Sequence, residues 1–168
     1  MIYSALRLVL VFILLILLQV VLFNNIQFSG YVNPYVYLMI ILILPVNIPM
    51  WFLLVLSFAT GMLIDLFSGS PGMHSSATVL AGFVRPFVLR IIAPRDGYDL
   101  GPNPSMLFYG FKWFLFYTFI MVLVHHTALF YLEVFRFTDF FRTFLRVILS
   151  TIFSVTFILL IEFYRRGK

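Results

Sequence analysis

Cysteine is absent from this chain of 168 residues. That absence removes disulfides, thiolate nucleophiles and cysteine-bound metals together. Charge is nearly as scarce, with 10% of residues charged against 63% hydrophobic. A soluble domain carries about 25% charged and about 45–50% apolar residues, so water is excluded as the solvent for most of this surface. With a mean hydropathy of +1.10, the composition predicts a polytopic membrane protein whose first partner is the lipid bilayer. Acids are the rarest charges, six against eleven bases, for a net charge of +5. The bases are scattered in small groups at the ends of apolar runs. That scatter suits membrane orientation rather than a nucleic-acid footprint, so no nucleic-acid partner is expected.

A helix crossing a hydrocarbon core of ~30 Å needs about 20 mainly apolar residues. The expectation is an all-α protein, a single integral membrane domain over residues 1–168 with about six transmembrane helices. The apolar runs place them near 5–23, 34–44, 50–67, 74–92, 106–131 and 144–164. No small-residue cleavage site follows the first run, which is expected to be retained as a helix rather than removed as a signal peptide. Gln19 is its only strongly polar interior residue. The run 34–44 is short, opened by Pro34 and stopped by "PVNIP" at 45–49, where two prolines cannot continue a regular helix. A thin crossing and a re-entrant segment both fit it. With six crossings both termini share one side, together with Arg7, Arg85, Arg90, Arg95, Arg165, Arg166 and Lys168. The other side has the loops at 24–34 and 68–73, which hold no base, and Arg136, Arg142 and Arg146, diluted by Glu133 and Asp139. The positive-inside rule then makes both termini cytoplasmic.

One acid stands out because almost nothing near it is charged. Asp65 lies in "GMLIDLFSGSPGMHSSATVLAGF", Gly61 to Phe83. A charge inside a membrane helix costs at least about 2.5 kcal/mol at its centre, so this one needs compensation. Asp65 falls in the last turn of its helix, and the break "SGSPG" is short enough to bring it to the start of the next one. A helix N-terminus offers unpaired N–H groups and a partial positive charge. Asp65 is therefore expected to tie the loop, with Ser68, Ser70 and His74 as further polar partners; contact with a protein partner is the alternative. Ser57, Gly61, Asp65 and Ser68 share one helical face, and Ser75, Thr78, Gly82 and Arg85 another. Small residues at such spacing allow close backbone approach in lipid, which predicts a tight hairpin with Ser57, Ser75, Thr78 and Gly82 at its seam.

This stretch resembles the hallmark of the MreD family of bacterial rod shape-determining membrane proteins: Gly-x-x-x-Asp-x-x-Ser-Gly-Ser, then Gly, then a small-residue helix. The preceding "NPYVYLMIILILP", Asn33 to Pro45, is similar to the segment before that motif. The resemblance covers roughly residues 33–92. It implies a non-enzymatic component of the cell-elongation machinery in the bacterial inner membrane, working in peptidoglycan synthesis. Implied partners are an MreC-like periplasmic scaffold protein, MreB, a RodA-type glycosyltransferase and a class B penicillin-binding protein. The implied fold is similar to the substrate-binding subunits of energy-coupling-factor transporters. The motif positions carried over are Gly61, Asp65, Ser68, Gly69, Ser70 and Gly72, as structural rather than catalytic residues. No cofactor is implied. The 22 phenylalanines of this chain are unusual for the family and leave the partner-facing surface unassigned.

The same residues admit other chemistries. Ser68, Ser70, His74 and Asp65 could suggest a hydrolase, but a triad needs fixed mutual geometry and an oxyanion hole, whereas capping already explains residues grouped around a turn. His125 and His126 are adjacent and point about 100° apart on a helix, so satisfied interior histidines are expected and no metal. Glu133, Arg136, Asp139 and Arg142 alternate in sign every third residue. They predict ion pairs along one interfacial helix or a docking surface on the outer side. A small-molecule-binding transporter subunit is the rival reading; it would show an outward, polar-lined cavity.

Overall fold

The computed structural model describes residues 2–25, 32–95, 97, 98, 103–134 and 139–166. Their regular elements are all helices, with no strand among them. In order they form α1 (Ile2–Val21), a 3-10 turn (Phe23–Asn25), α2 (Met39–Leu42), α3 (Met50–Ser68), α4 (Met73–Ile91), α5 (Met106–Tyr109), α6 (Phe111–Val134) and α7 (Phe140–Arg166). Among the described residues four stretches are long and apolar enough to cross a bilayer: Leu8–Asn25, Met50–Ser68, Phe111–Val134 and Phe140–Arg165. α4 is as long as α3, at 19 residues, but His74, Ser75, Ser76, Thr78, Arg85 and Arg90 make it too polar to join them by composition.

The outer wall explains the composition. Leu10, Ile13, Leu14 and Leu17 of α1 are exposed at helical spacing, as are Phe58 and Leu66 of α3, Phe116 of α6, and Ile152 and Leu160 of α7. In water so much contiguous apolar surface would drive association; against acyl chains it costs nothing. The protein is a helical membrane protein.

The core is a strap threaded through the bundle. From Val36 to Ile43 every residue is at most 4% exposed. The helix expected over 34–44 is reduced to Met39–Leu42, for two reasons. The Pro34 carbonyl, the first acceptor of a helix over 34–44, is taken by the Gln19 side chain, and Pro45 stops the coil by lacking an N–H. The turn opens with tighter bonds, Met39 N–H to Val36 C=O and Ile40 N–H to Tyr37 C=O, both 3.0 Å.

A strap without its own hydrogen-bond ladder needs side chains to replace one. In hydrocarbon an unsatisfied backbone group costs several kcal/mol, and irregular chain survives there only when buried in protein. Four side chains on three helices supply much of this. The N–H of Asn33 donates to Ser150 Oγ (3.0 Å) and that of Tyr35 to Ser154 Oγ (2.8 Å) on α7. Gln19 of α1 accepts from the Val36 N–H (2.8 Å) and donates to the Pro34 carbonyl (3.2 Å). At the other end, the Arg85 guanidinium of α4 donates to the carbonyls of Leu42, Leu44 and Pro45. The strap thus runs from the end of the bundle that carries the α3–α4 turn to the opposite end.

Two further boundaries differ from expectation. The helix expected from Met106 breaks at Gly110, whose φ of 82° a residue with a Cβ rarely adopts. α7 begins at Phe140 rather than 144, which draws Arg142 into it.

Candidate functional site

Asp65 closes the α3–α4 hairpin. One carboxylate oxygen accepts from the His74 N–H (2.9 Å) and the Ser70 hydroxyl (3.1 Å). The other accepts from the N–H groups of Gly72 (3.1 Å) and Ser75 (3.0 Å) and from the Ser75 hydroxyl (2.6 Å). Three of the five donors are backbone N–H groups at the start of α4, which have no partner within their own helix. The turn is short because Gly69 (φ 64°) and Gly72 (φ 84°) are left-handed, a conformation glycine adopts without steric penalty. Gly69 ends α3, its N–H bonding the Asp65 carbonyl. Asp65 therefore anchors the turn through its backbone and its side chain.

The expected polar partners divide. Ser70 reaches Asp65. Ser68 does not: its hydroxyl accepts from Asn24 Nδ2 (3.1 Å) and fastens the end of α1 to the hairpin, because the last turn of α3 carries it away from the carboxylate. His74 contributes its backbone, while its ring Nδ1 lies 3.1 Å from the Tyr37 hydroxyl on the strap.

Helices α3 and α4 approach closely where the small residues predict. A Cβ on Gly61 would sit 2.5 Å from the Ser75 Cα, so that position admits only glycine at this spacing. A Cβ on Gly82 would overlap the Ser57 hydroxyl, itself donated to the Leu53 carbonyl (2.7 Å). Thr78 donates to the His74 carbonyl (2.7 Å) and faces the Tyr37 hydroxyl (3.2 Å).

All three histidines gather on the strap. His125 Nε2 lies 2.7 Å from the Tyr37 hydroxyl, and the ring of Tyr35 packs edge-on against His74, His125 and His126. His126 Nδ1 lies 2.9 Å from the Val122 carbonyl; it must donate there, because a carbonyl only accepts. Its neutral Nε2 then accepts from Ser154 Oγ (3.0 Å). Among the described residues no three His, Asp or Glu side chains are grouped to hold a metal.

Between the hairpin and the start of α7 lies a cavity of about 550 Å³. Asn24, Asn33, Ser68, Ser70, His74 and Arg146 line it, with apolar walls from Phe23, Phe67 and Leu129. Arg146 pairs with Glu133 (3.0 Å) and stands over the Phe130 ring (4.2 Å). With the Asn33 amide oxygen turned toward it, Arg146 also donates from Nε (3.1 Å) and Nη2 (2.6 Å). The acid–base pattern expected along one helix is thus partly an inter-helix pair, since Glu133 ends α6 and Arg146 belongs to α7. Arg136 lies outside the described residues.

Arg85 corrects the reading of the chain's bases. Counted among the bases of the inner loop, it is fully buried instead. Its Nε donates to the Tyr117 hydroxyl (2.9 Å), and the rest of the guanidinium clamps the strap's carbonyls. Sequence reasoning also missed Tyr37, Ser150 and Ser154, and gave Gln19 no role. The signals available were a lone polar residue inside an apolar run, at Gln19, and an arginine next to a mid-helix proline, at Arg85–Pro86.

Fold and site define a helical integral membrane protein organised around a buried, side-chain-capped strap and a carboxylate-closed hairpin. No family model, no curated protein and no solved structure matches the chain.

Proposed function

We propose that this chain is an MreD-like, non-enzymatic component of the bacterial cell-elongation machinery. In this reading it holds an MreC-like periplasmic scaffold, and through it the MreB filament, a RodA-type glycosyltransferase and a class B penicillin-binding protein, in register for peptidoglycan synthesis. The observation that carries it is the hairpin. Gly61, Asp65, Gly69, Ser70 and Gly72, matched to the family motif, each have a defined task in closing one rigid turn, and Ser68 ties that turn to α1. A motif spent on rigidity suits a platform that others grip. Taking α1, the strap, α3, α4, α6 and α7 as crossings makes about six spans and brings both termini to the end carrying Arg90, Lys112 and Arg165, the cytoplasmic end by the positive-inside rule. Affinity purification from native membranes in mild detergent tests the reading. A coiled-coil periplasmic scaffold protein should co-purify; a transporter ATPase pair would overturn it.

One observation favours a second reading, a small-molecule-binding membrane subunit of a transporter. The 550 Å³ cavity falls within the roughly 300–1,000 Å³ range of ligand pockets and is lined by amides, hydroxyls and an imidazole. Mass spectrometry of an organic extract of the purified protein separates the two: a stoichiometric small polar compound supports the transporter subunit, and none supports the platform.

A further inference from the structure

The end of the bundle away from the hairpin holds a second feature. Arg85 is fully buried, and the ion pairs formed among the described residues, Arg146–Glu133 and Arg165–Glu162, leave it out. Its partners, a phenol and three carbonyls, are neutral. Neutral oxygens satisfy the donors of a guanidinium without cancelling its charge, and a buried charge calls for an opposite one. A cavity of about 520 Å³ lies against it. Arg90 and Asn47 line the polar side, and Ile48, Met50 and Phe87 the apolar side, with Phe87 half exposed toward lipid. Arg85 lines it as well, with no exposed surface, and Arg90 is exposed.

The level of this cavity is that of a membrane interface. It sits where α4 ends, beside an aromatic group in which Tyr98 packs edge-on with Tyr109 and Trp113, themselves a tilted pair. Interfacial aromatics of this kind mark headgroup depth. Burial pushes the Tyr98 hydroxyl up to about 12, so it stays protonated and donates to the Leu89 carbonyl (2.5 Å), holding the loop against the cavity.

From this we infer an anion site for the phosphate of an anionic phospholipid, with Arg90 and Asn47 contacting the headgroup, the Arg85 charge behind them, and an acyl chain leaving along Phe87. A basic pocket between helices at headgroup depth is suited to this ligand. The site is independent of which partner the hairpin end serves.

The test uses the full chain in mild detergent, with native mass spectrometry after addition of phosphatidylglycerol, phosphatidylcholine or inorganic phosphate. Phosphatidylglycerol should be retained in preference to phosphatidylcholine. Arg90→Gln should weaken its retention by about fivefold, the share expected of one arginine near a charged membrane surface, while Arg142→Gln at the other end should not. Arg90→Gln leaves the clamp of Arg85 untouched, so loss of folding does not confuse the result. Equal retention of the two lipids, indifference to Arg90→Gln, or capture of inorganic phosphate without the lipid would each overturn the proposal. So would a lipid preference that emerges only in Asp96→Asn or Asp99→Asn, since the chain's own carboxylate would then be the native counter-charge.

Discussion

The two ends of the bundle solve the same problem with opposite charges. At the hairpin end a helix starts, its first N–H groups lack partners, and a carboxylate collects them: Asp65 takes those of Gly72, His74 and Ser75. At the other end the strap leaves its single turn, the carbonyls there have no backbone partner, and a guanidinium collects them: Arg85 takes Leu42, the last residue of α2, and Leu44 and Pro45 beyond it. In each case the side chain suits the groups it collects, a carboxylate accepting from N–H groups and a guanidinium donating to carbonyls. The comparison teaches that scarce charges in a lipid-facing chain go where the backbone ladder is broken. The ends differ in reach. Asp65 acts within ten residues of itself, whereas Arg85 bridges about forty.

The largest expected effect is at the long-range end. Arg85→Met removes the donor from the Leu44 and Pro45 carbonyls, while the Leu42 carbonyl keeps the Tyr117 hydroxyl (3.2 Å), and a buried group stripped of its partner costs about 1–3 kcal/mol. Removing a desolvated charge offsets part of this, but methionine offers the carbonyls nothing. The folded yield in detergent, read as a monodisperse peak on size exclusion, should fall sharply. Arg85→Lys keeps the charge but not the planar fork and should fall between. A fully stable Arg85→Met protein would break the comparison, leaving the strap held by packing alone.

Asp65→Leu comes next. Five donors lose their acceptor, but the turn lies near the bundle's end, where water can reach some of them. The expected loss is about 2–3 kcal/mol, on the scale of hydrogen bonds to a charged group, read as a lower unfolding temperature in detergent. Asp65→Asn should be intermediate, because its amide can keep the donors on one oxygen while its NH2 faces donors on the other side. Equal stability of all three proteins would reject the tying role.

These two sites mark the limit of what the sequence could disclose. The helical membrane class was legible from composition, since so few charges leave no other solvent. The hairpin was legible because its logic is local: an acid in the last turn of one helix, a glycine-rich break, and a helix start within ten residues. The strap was not legible. Its N–H groups are capped by Gln19 and Ser154, 17 and 119 residues away, and its carbonyls by Arg85. No periodicity links such positions. For the same reason an apolar run of helical length, 34–44, misleads: Pro45 and the surrounding side chains, rather than hydrophobicity, decide its conformation. Arg85 looked like a loop cation because charge near a span end normally is one.

The hairpin seam gives a third, smaller contrast. Gly61→Ala drives a methyl into the Ser75 backbone, which cannot move without parting α3 from α4; overpacking of this kind costs about 1–3 kcal/mol. Gly82→Ala clashes with the Ser57 side chain and touches Leu53 at ordinary contact distance, and should cost less. The double variant Gly82→Ala/Ser57→Ala should recover most of that loss in a thermal melt, whereas no side-chain truncation at Ser75 should rescue Gly61→Ala. Rescue of both would show that the seam is looser than its geometry.

The smallest effect separates two serines that the sequence treats alike. Ser70 donates to the buried carboxylate at 3.1 Å, while Ser68, three residues from Asp65, instead meets Asn24 in an exposed bond of the same length. A hydrogen bond to a charged, partly buried acceptor is worth about 1.5–3 kcal/mol, and an exposed neutral one is replaced by water at little cost. The Ser70 hydroxyl shares its oxygen with the His74 N–H, so its loss weakens rather than orphans the acceptor, and Ser70→Ala should cost about 1 kcal/mol. Ser68→Ala should stay within about 0.5 kcal/mol, the range of surface substitutions. Thermal melts of the two variants side by side measure the difference. If Ser68→Ala were the more damaging, the link from α1 to the hairpin, and not the carboxylate, would be what holds that end of the bundle together.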